Sequence, residues 1–272
     1  MPGEELDDAL TAAEGLGKDG LSATVTLLGE NLESLDEADA VVEHYLGALR
    51  DIRARGVDAE VSVKLTQLGL DFGADAAGER LARLVEATDS LLWVDMEGSP
   101  YVDATLDVFK GVRAKRANVG LCLQAYLYRT EKDLEGLLGL DPSIRVVKGA
   151  YREPADVAFP KKADVDRAFV KLTARLLRAR AQGGSGRPVV ATHDPRMLAE
   201  ASRLAHELGL ERSKIEYSML FGIAAAEQRR LVRGGNRVRV LISYGPTWFP
   251  WYMRRLAERP ANLWFVVKQL LG

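Results

Sequence analysis

Hydrophobic and polar residues follow two alternating periods along most of this chain. From about residue 23, short runs with alternating apolar residues are each followed by a longer stretch with apolar residues three to four positions apart. The first pattern is typical of strands and the second of amphipathic helices. The predicted strands are 23–30, 59–65, 90–96, 117–123, 143–149, 188–193, 214–220 and 237–243, and the predicted helices are 34–55, 74–88, 101–115, 130–139, 163–182, 195–208, 223–233 and 250–271.

Eight strand–helix pairs in a chain of 272 residues predict an α/β fold of the (β/α)8 type. We expect residues 1–272 to form a single barrel domain, in which 1–21 are a shortened N-terminal arm carrying one helix at about 5–17. An open doubly wound sheet is the alternative. Such a sheet usually has a glycine-rich phosphate turn after its first strand, and no GxGxxG motif follows residues 23–30. The pattern therefore favours the barrel.

The composition excludes several classes of function. A net charge of −2 gives no electrostatic basis for nucleic-acid binding, and the three histidines lack metal-ligand spacing. The single cysteine, Cys122, excludes an intramolecular disulfide and fits a reducing compartment. No apolar run approaches the roughly 18 residues that span a bilayer, and the acidic opening lacks the regions of a signal peptide. We expect a cytoplasmic protein without a metal or a transmembrane segment, with peripheral contact to a membrane left open.

Strand parity sorts the polar residues of the predicted barrel, because alternate residues of each strand face its interior. Most of the polar residues on the inward parity lie near strand carboxyl ends, where barrel enzymes have their active sites. Burying cations and carboxylates is costly unless they are paired or bind a ligand, so this set predicts an active site. The candidates are Lys64, Asp95, Gln124, Arg145, His193 and Glu216.

The stretch 244–262 carries a second candidate site. Gly245 and Pro246 mark a turn, and Pro250 opens the last predicted helix. Arg254 and Arg255 then fall within about two turns of the helix start, where the helix dipole disfavours cations. Two adjacent arginines at this place predict a bound anion, and solvated surface arginines are the alternative.

Several motifs, in order along almost the whole chain from about residue 22, resemble the flavin-dependent proline dehydrogenases (proline oxidases) of the monofunctional bacterial type. They are Ser62-Val-Lys-Leu-Thr-Gln-Leu-Gly69, Val94-Asp-Met-Glu97, Leu123-Gln-Ala-Tyr-Leu-Tyr-Arg-Thr130, Arg145-Val-Val-Lys-Gly-Ala-Tyr-Arg-Glu153, Ala191-Thr-His-Asp194 and the stretch 244–262. The resemblance implies a (β/α)8 barrel that binds FAD noncovalently and oxidises L-proline to Δ1-pyrroline-5-carboxylate, the first step of proline catabolism. It further implies hydride transfer from ring C5 to flavin N5, with electrons passing to a membrane quinone.

The resemblance also implies a substrate site in which three cations hold the carboxylate, since bidentate arginine fixes orientation as well as charge. This substrate set is Lys64, Arg254, Arg255, Leu220, Leu241 and Glu30. Glu30 matches a glutamate that pairs with Arg254 as a gate over bound substrate. The family usually has a tyrosine where this chain has Leu241, so the expected substrate is L-proline or a close analogue with a substituted ring.

Around the flavin, the resemblance implies that Arg145 lies beside N5, where a cation stabilises the reduced anionic ring. Asp95 matches a carboxylate near the substrate end of the flavin, where it either orders Lys64 or accepts a proton through water. Arg145, Asp95 and Lys64 are therefore the expected catalytic residues. The cofactor-binding set implied by the resemblance is Gln124, Arg145, Lys148, Gly149, Ala150, Thr192, His193 and Glu258.

Two other functions are compatible with parts of the pattern. A class I aldolase-like barrel would use Lys64 or Lys148 as a Schiff-base amine. A noncatalytic barrel would only bind an imino acid or a partner protein, and Leu241 and Ser218, where glutamine is common in the family, favour it.

Overall fold

The computed structural model describes residues 1–30 and 32–248, and within them eight parallel strands form a closed barrel in chain order. The strands are β1 (Ser22–Leu27), β2 (Ala59–Val63), β3 (Leu92–Val94), β4 (Val119–Gln124), β5 (Ser143–Val147), β6 (Pro188–Ala191), β7 (Glu216–Leu220) and β8 (Arg237–Tyr244). β8 pairs with β1 and closes the barrel. The predicted (β/α)8 fold is confirmed.

Helices cover the outside of the barrel. They are α1 (Leu6–Lys18), α2 (Leu35–Arg55), α3 (Ala74–Glu86), α4 (Val102–Arg113), α5 (Thr130–Leu137), α6 (Lys162–Ala181), α7 (Pro195–Glu207) and α8 (Ala225–Arg233). α1 packs against β1 and β8 through Ala9, Leu10 and Ala13, so the N-terminal arm covers the seam where the barrel closes. The predicted helix 250–271 lies outside the described residues. None of the helices in the described part of the chain is long and apolar enough to span a membrane.

Several strands end earlier than the periodicity predicts, because their last inward polar residues belong to turns. β2 ends at Val63, and Lys64 begins a turn in which its carbonyl accepts a hydrogen bond from the amide of Gln67 at 3.2 Å. β5 ends at Val147, two residues before Gly149, which has a φ of 121°. An L side chain rarely adopts that conformation, so glycine permits the bend. Alternating patterns continue past these points because the turn residues still point into the barrel.

Buried ion pairs fill the amino end of the barrel. Arg187 Nη2 donates to both carboxylate oxygens of Glu60, at 2.7 and 2.6 Å, and Arg187 Nη1 lies 3.3 Å from Glu216. Arg239 Nε lies 3.3 Å from each of these two carboxylates. Buried charges are tolerated when they are paired in this way. We call these four residues the amino-end ion cluster.

The prediction that Glu216 faces the barrel interior is confirmed, but its place differs from that of the other inward candidates. Glu216 is the first residue of β7 and is 2% exposed among the arginines of the amino-end ion cluster. It therefore neutralises those arginines at the end of the barrel opposite the strand carboxyl ends.

Trp93 fills the middle of the barrel between two small residues. In the strand register, Trp93 pairs with Ser62 of β2 and with Gly120 of β4. A Cβ added at Gly120 would lie 2.7 Å from Trp93 Cε3, which is closer than real Cβ contacts. The glycine at this position therefore makes room for the indole ring.

Because the indole ring of Trp93 is packed between its strand neighbours, it has no room to move away from an added methyl group. We therefore expect Gly120→Ala to lower the free energy of unfolding by about 1–3 kcal/mol through overpacking. Urea unfolding followed by circular dichroism measures the effect. Gly111→Ala in α4 is the matched control, since no described residue lies within 4 Å of its added Cβ, and it should raise stability by about 0.5–1 kcal/mol. Equal effects of the two substitutions would contradict this account of the packing.

Candidate active site

A cavity of about 1580 Å³ opens at the carboxyl ends of the strands. This is larger than the roughly 300–1,000 Å³ of a typical small-ligand pocket, so it has room for a large cofactor together with a small substrate. Every residue of the predicted catalytic, substrate and cofactor sets within the described part of the chain lines it: Glu30, Lys64, Asp95, Gln124, Arg145, Lys148, Gly149, Ala150, Thr192, His193, Leu220 and Leu241. The inward candidate Glu216 does not, since it belongs to the amino-end ion cluster. Arg254, Arg255 and Glu258 lie outside the described residues.

Arg145 is held by a buried hydrogen-bond triangle below the cavity. Its Nη2 donates to Asp95 Oδ1 and, at 2.8 Å, to Ser62 Oγ, while Ser62 Oγ donates to Asp95 Oδ1 at 2.9 Å. Burial of Arg145 opposes its charged form, but Asp95 and the Cys122 thiol outweigh this, and the pKa of Arg145 lies above its ordinary value. Asp95 thus pairs with Arg145, an arrangement beyond the two roles that the sequence left open for it.

The turn that carries Lys64 is anchored on both sides. Glu97 accepts hydrogen bonds from the amide of Thr66 at 3.1 Å and from its hydroxyl at 2.7 Å. On the other side, Gln67 Nε2 donates to the carbonyl of Leu27 at 3.1 Å. Glu97 is 3% exposed, and burial raises its pKa against the effect of the Thr66 hydrogen bonds. Parity did not mark Glu97 as a functional residue, although it ends one of the conspicuous motifs.

Lys148 lies at the cavity rim between two carboxylates. Its Nζ donates to Asp166 at 2.5 Å and to Asp194 at 3.1 Å. A hydrogen bond from Arg196, followed by those from Lys148, holds the pKa of Asp194 well below its ordinary value despite partial burial. Both carboxylates thus accept hydrogen bonds from this nitrogen, whereas a Schiff-base nucleophile needs a nitrogen that is free to attack a carbonyl group. The geometry therefore disfavours the aldolase-like use of Lys148.

The cavity floor and wall fit a planar ring system with both hydrogen-bond donors and acceptors. Gln124 is 2% exposed and donates Nε2 to the carbonyl of Met96 at 3.0 Å, and its Oε1 has no partner among the described residues. A buried amide oxygen without a partner is costly and calls for a ligand donor. Arg145 supplies donors to the same space. At Gly149, an added Cβ would lie 2.3 Å from the Tyr126 ring, so a side chain is excluded there and the backbone itself lines the cavity. These features fit the isoalloxazine ring of a flavin.

The opposite wall is apolar. Leu220 of β7 and Leu241 of β8 are paired in the strand register, and both are partly exposed to the cavity. His193 Nε2 accepts a hydrogen bond from the amide of Leu220 at 2.9 Å, which fixes the ring of this histidine beside the wall. The structure therefore brings charged and apolar side chains together around one cavity.

Further cavity residues were not among the predicted site residues, although Met96 and Tyr126 lie inside two of the quoted motifs. Met96, Tyr126, Phe159, Lys162 and Val165 also line the space. Phe159 and Lys162 belong to the irregular stretch after β5 and to the start of α6, where no periodicity shows which side chains face the cavity.

The Arg145–Asp95 pair gives a stability test that is independent of any ligand. Asp95→Ala leaves the guanidinium of Arg145, which is 4% exposed, without its counterion, and we expect a loss of about 3 kcal/mol in apoprotein stability. The double variant Asp95→Ala/Arg145→Met should lose less free energy of unfolding than the two single variants together, and urea unfolding should show a difference on the order of 1–3 kcal/mol.

Asp103→Ala is the matched control, since Asp103 is exposed and pairs with Arg129 on the surface. It should cost no more than about 1 kcal/mol. Simple additivity of the Asp95 and Arg145 changes would refute a stabilising pair.

Comparison with known proteins bears on the identity of the chain. A family model described as proline dehydrogenase matches residues 9–268. Proline dehydrogenase 2 of Bacillus subtilis (strain 168) is 38% identical over 269 residues, which are 98% of this chain and 87% of that protein. Proline dehydrogenase of Deinococcus radiodurans is 36% identical over 281 residues, covering 100% of this chain and 88% of that protein.

Solved structures show a similar fold. The structure of proline utilization A (PutA) from Bdellovibrio bacteriovorus inactivated by N-propargylglycine superposes with a TM-score of 0.87 at 23% identity. The match covers 94% of this chain and 32% of that chain, so the present chain spans about a third of the PutA protein. At this identity the likeness bears on the fold. The family match and the curated relatives show that this chain belongs to the proline dehydrogenase family, whose members are FAD-dependent oxidoreductases.

Proposed function

We propose that this protein binds FAD noncovalently and oxidises L-proline, or a close analogue with a substituted ring, to Δ1-pyrroline-5-carboxylate, with a membrane quinone as the electron acceptor. The observation that carries the proposal is the convergence on one cavity of the predicted catalytic, substrate and cofactor residues that lie in the described part of the chain. Family membership supports the reaction class, and Gln124 Oε1, which has no partner within residues 1–30 and 32–248, supports the cofactor.

When bound, FAD supplies flavin N5 as the acceptor for a hydride from C5 of the substrate ring, and the protein supplies orientation and charge. The residues that we assign to the cofactor are Gln124, Arg145, Lys148, Gly149, Ala150, Thr192, His193 and Glu258. Arg145 brings a permanently charged guanidinium to the cavity, because Asp95 and Ser62 hold it from below. A cation in that place stabilises negative charge on a reduced ring.

The substrate carboxylate is assigned to Lys64, together with Arg254 and Arg255 from outside the described residues. Lys64 is positioned by the turn that Glu97 and Gln67 anchor, so its ammonium reaches the cavity from a fixed backbone. Misplacement of a substrate by about 1 Å can cost on the order of 100-fold in rate, so this anchoring serves catalysis as well as affinity.

The substrate ring is assigned to the apolar wall of Leu220 and Leu241, and Glu30 at the cavity edge is assigned to the gate with Arg254. Asp95 is assigned to holding Arg145, since its carboxylate accepts hydrogen bonds from Ser62 and Arg145 within that triangle. A membrane quinone as acceptor places the working protein in the cytoplasm, in peripheral contact with the inner face of the membrane.

The central prediction concerns the purified protein. It should show the absorbance of an oxidised flavin, and anaerobic addition of L-proline should bleach it, because reduction of the ring removes that absorbance. Anaerobic spectrophotometry checks this, with D-proline as the control that the carboxylate clamp should reject. A colourless protein that is trapped by borohydride with a carbonyl substrate would support the aldolase-like alternative. A flavin that stays oxidised with bound imino acid would favour the noncatalytic one.

Lys64→Met tests the carboxylate site. Losing one charged hydrogen bond of about 1.5–3 kcal/mol should lower kcat/KM for L-proline by about 10- to 100-fold, while FAD stays bound. Steady-state kinetics and the flavin-to-protein absorbance ratio give the two measurements. Lys132→Met, on the exposed face of α5, is the matched control and should behave like the unaltered protein. An unchanged kcat/KM in Lys64→Met would remove Lys64 from the substrate site.

A further inference from the structure

We propose that Trp93 is a positioning residue for Arg145, and that its indole ring sets the plane of the guanidinium presented to the cofactor cavity. This inference rests on the proposed function, because it concerns how Arg145 meets the flavin. It adds a residue that belongs to neither the predicted cofactor set nor the predicted substrate set, and that does not line the cavity.

The contact places a cation over the face of an aromatic ring. Arg145 Cζ lies 5.1 Å from the centroid of the Trp93 ring, within the range of a cation–π interaction. Trp93 is 1% exposed and Arg145 is 4% exposed, so bulk water does not compete with the contact between the two groups. Cation–π attraction is strongest when the cation is desolvated in this way.

The indole is itself fixed from the amino end of the barrel. Its Nε1 donates to Glu60 Oε2 at 2.7 Å, and Arg187 Cζ lies 5.4 Å from the same ring centroid. Arg187 also binds both oxygens of Glu60. At the sides, Ser62 and Gly120 are the register neighbours of Trp93, and Gly120 leaves no space beyond the ring. The amino-end ion cluster therefore holds Trp93, and Trp93 contacts Arg145.

The hydrogen bonds of Arg145 explain why a ring is needed. The bonds to Asp95 Oδ1 and to Ser62 Oγ both leave from Nη2. These bonds and the covalent link through Nε hold one edge of the guanidinium, and Cys122 also interacts with the group. Hydrogen bonds tolerate some tilt of the donor plane, and an aromatic ring packed on a planar guanidinium limits that tilt, so the indole restrains the group further. The directions of the remaining N–H groups thus depend on Trp93.

Removing the aromatic face should therefore change how strongly Arg145 stabilises the reduced cofactor. In Trp93→Leu we expect the equilibrium constant for two-electron reduction of the bound flavin to fall about tenfold, which is a midpoint potential about 30 mV lower. Trp93→Phe keeps a ring for the stack but loses the Nε1 hydrogen bond, and its reduction equilibrium should stay within about threefold of the unaltered holoenzyme. Equilibration with a redox dye measures these potentials without turnover.

Loss of stability alone must be separated from loss of position. Leu81→Ala removes a fully buried side chain of α3 that does not line the cavity, and it serves as the destabilised control. It should lower the melting temperature and leave the potential unchanged. The proposal would be overturned if the flavin midpoint potential of Trp93→Leu equalled that of Leu81→Ala. It would also be overturned if the potential of Trp93→Phe fell as far as that of Trp93→Leu.

Gly120→Ala provides a second variant should Trp93→Leu not fold, because its Cβ pushes on the same ring. Its potential should fall in the same direction as that of Trp93→Leu but by a smaller factor, and an unchanged potential would count against the proposal. The proposed function has a separate test in the unaltered protein. Absence of flavin or of bleaching by L-proline there would refute the function, whereas normal bleaching with unshifted potentials in the variants would refute only the role of Trp93.

Discussion

The interior of this barrel depends on pairing charges that have been removed from water. Glu60 and Glu216 neutralise Arg187 and Arg239 at the amino end, and Asp95 neutralises Arg145 near the carboxyl end. An unpaired charge at either level would cost several kcal/mol. The two groups differ in what lies above them, since Arg145 borders the cavity whereas the amino-end ion cluster is closed off by Trp93. Charge pairing thus serves stability at one end and prepares a site at the other.

Loops and turns then complete what the barrel interior begins. The turn after β2 presents Lys64 because Glu97, from the loop after β3, ties down Thr66. The carboxylates of Asp166 and Asp194 hold Lys148 at the rim. Lys64, Arg145 and Lys148 are therefore each held with the help of a residue from a different βα unit. This division is common in barrels, whose sites are built from the loops of several strands.

Much of this arrangement could be predicted from the amino-acid sequence. Parity alone placed Lys64, Asp95, Gln124, Arg145 and His193 on one inner surface, because a strand repeats every two residues and one face of it must be apolar. Motif resemblance added Gly149 and Thr192, which parity does not single out. Both routes are local, and both are reliable wherever the backbone is regular.

What the sequence by itself determined was therefore the barrel and the set of residues facing its interior, since both follow from periodicity and from the length of each βα unit. Tertiary structure alone decided which charges pair. Asp95 joins Arg145 from a strand two positions away in the barrel, and Glu216 joins arginines at the opposite end from the cavity. It also decided that Trp93 lies between Ser62 and Gly120. These outcomes depend on strand register and on the filling of shared volume, and neither quantity is encoded in the period of a single strand.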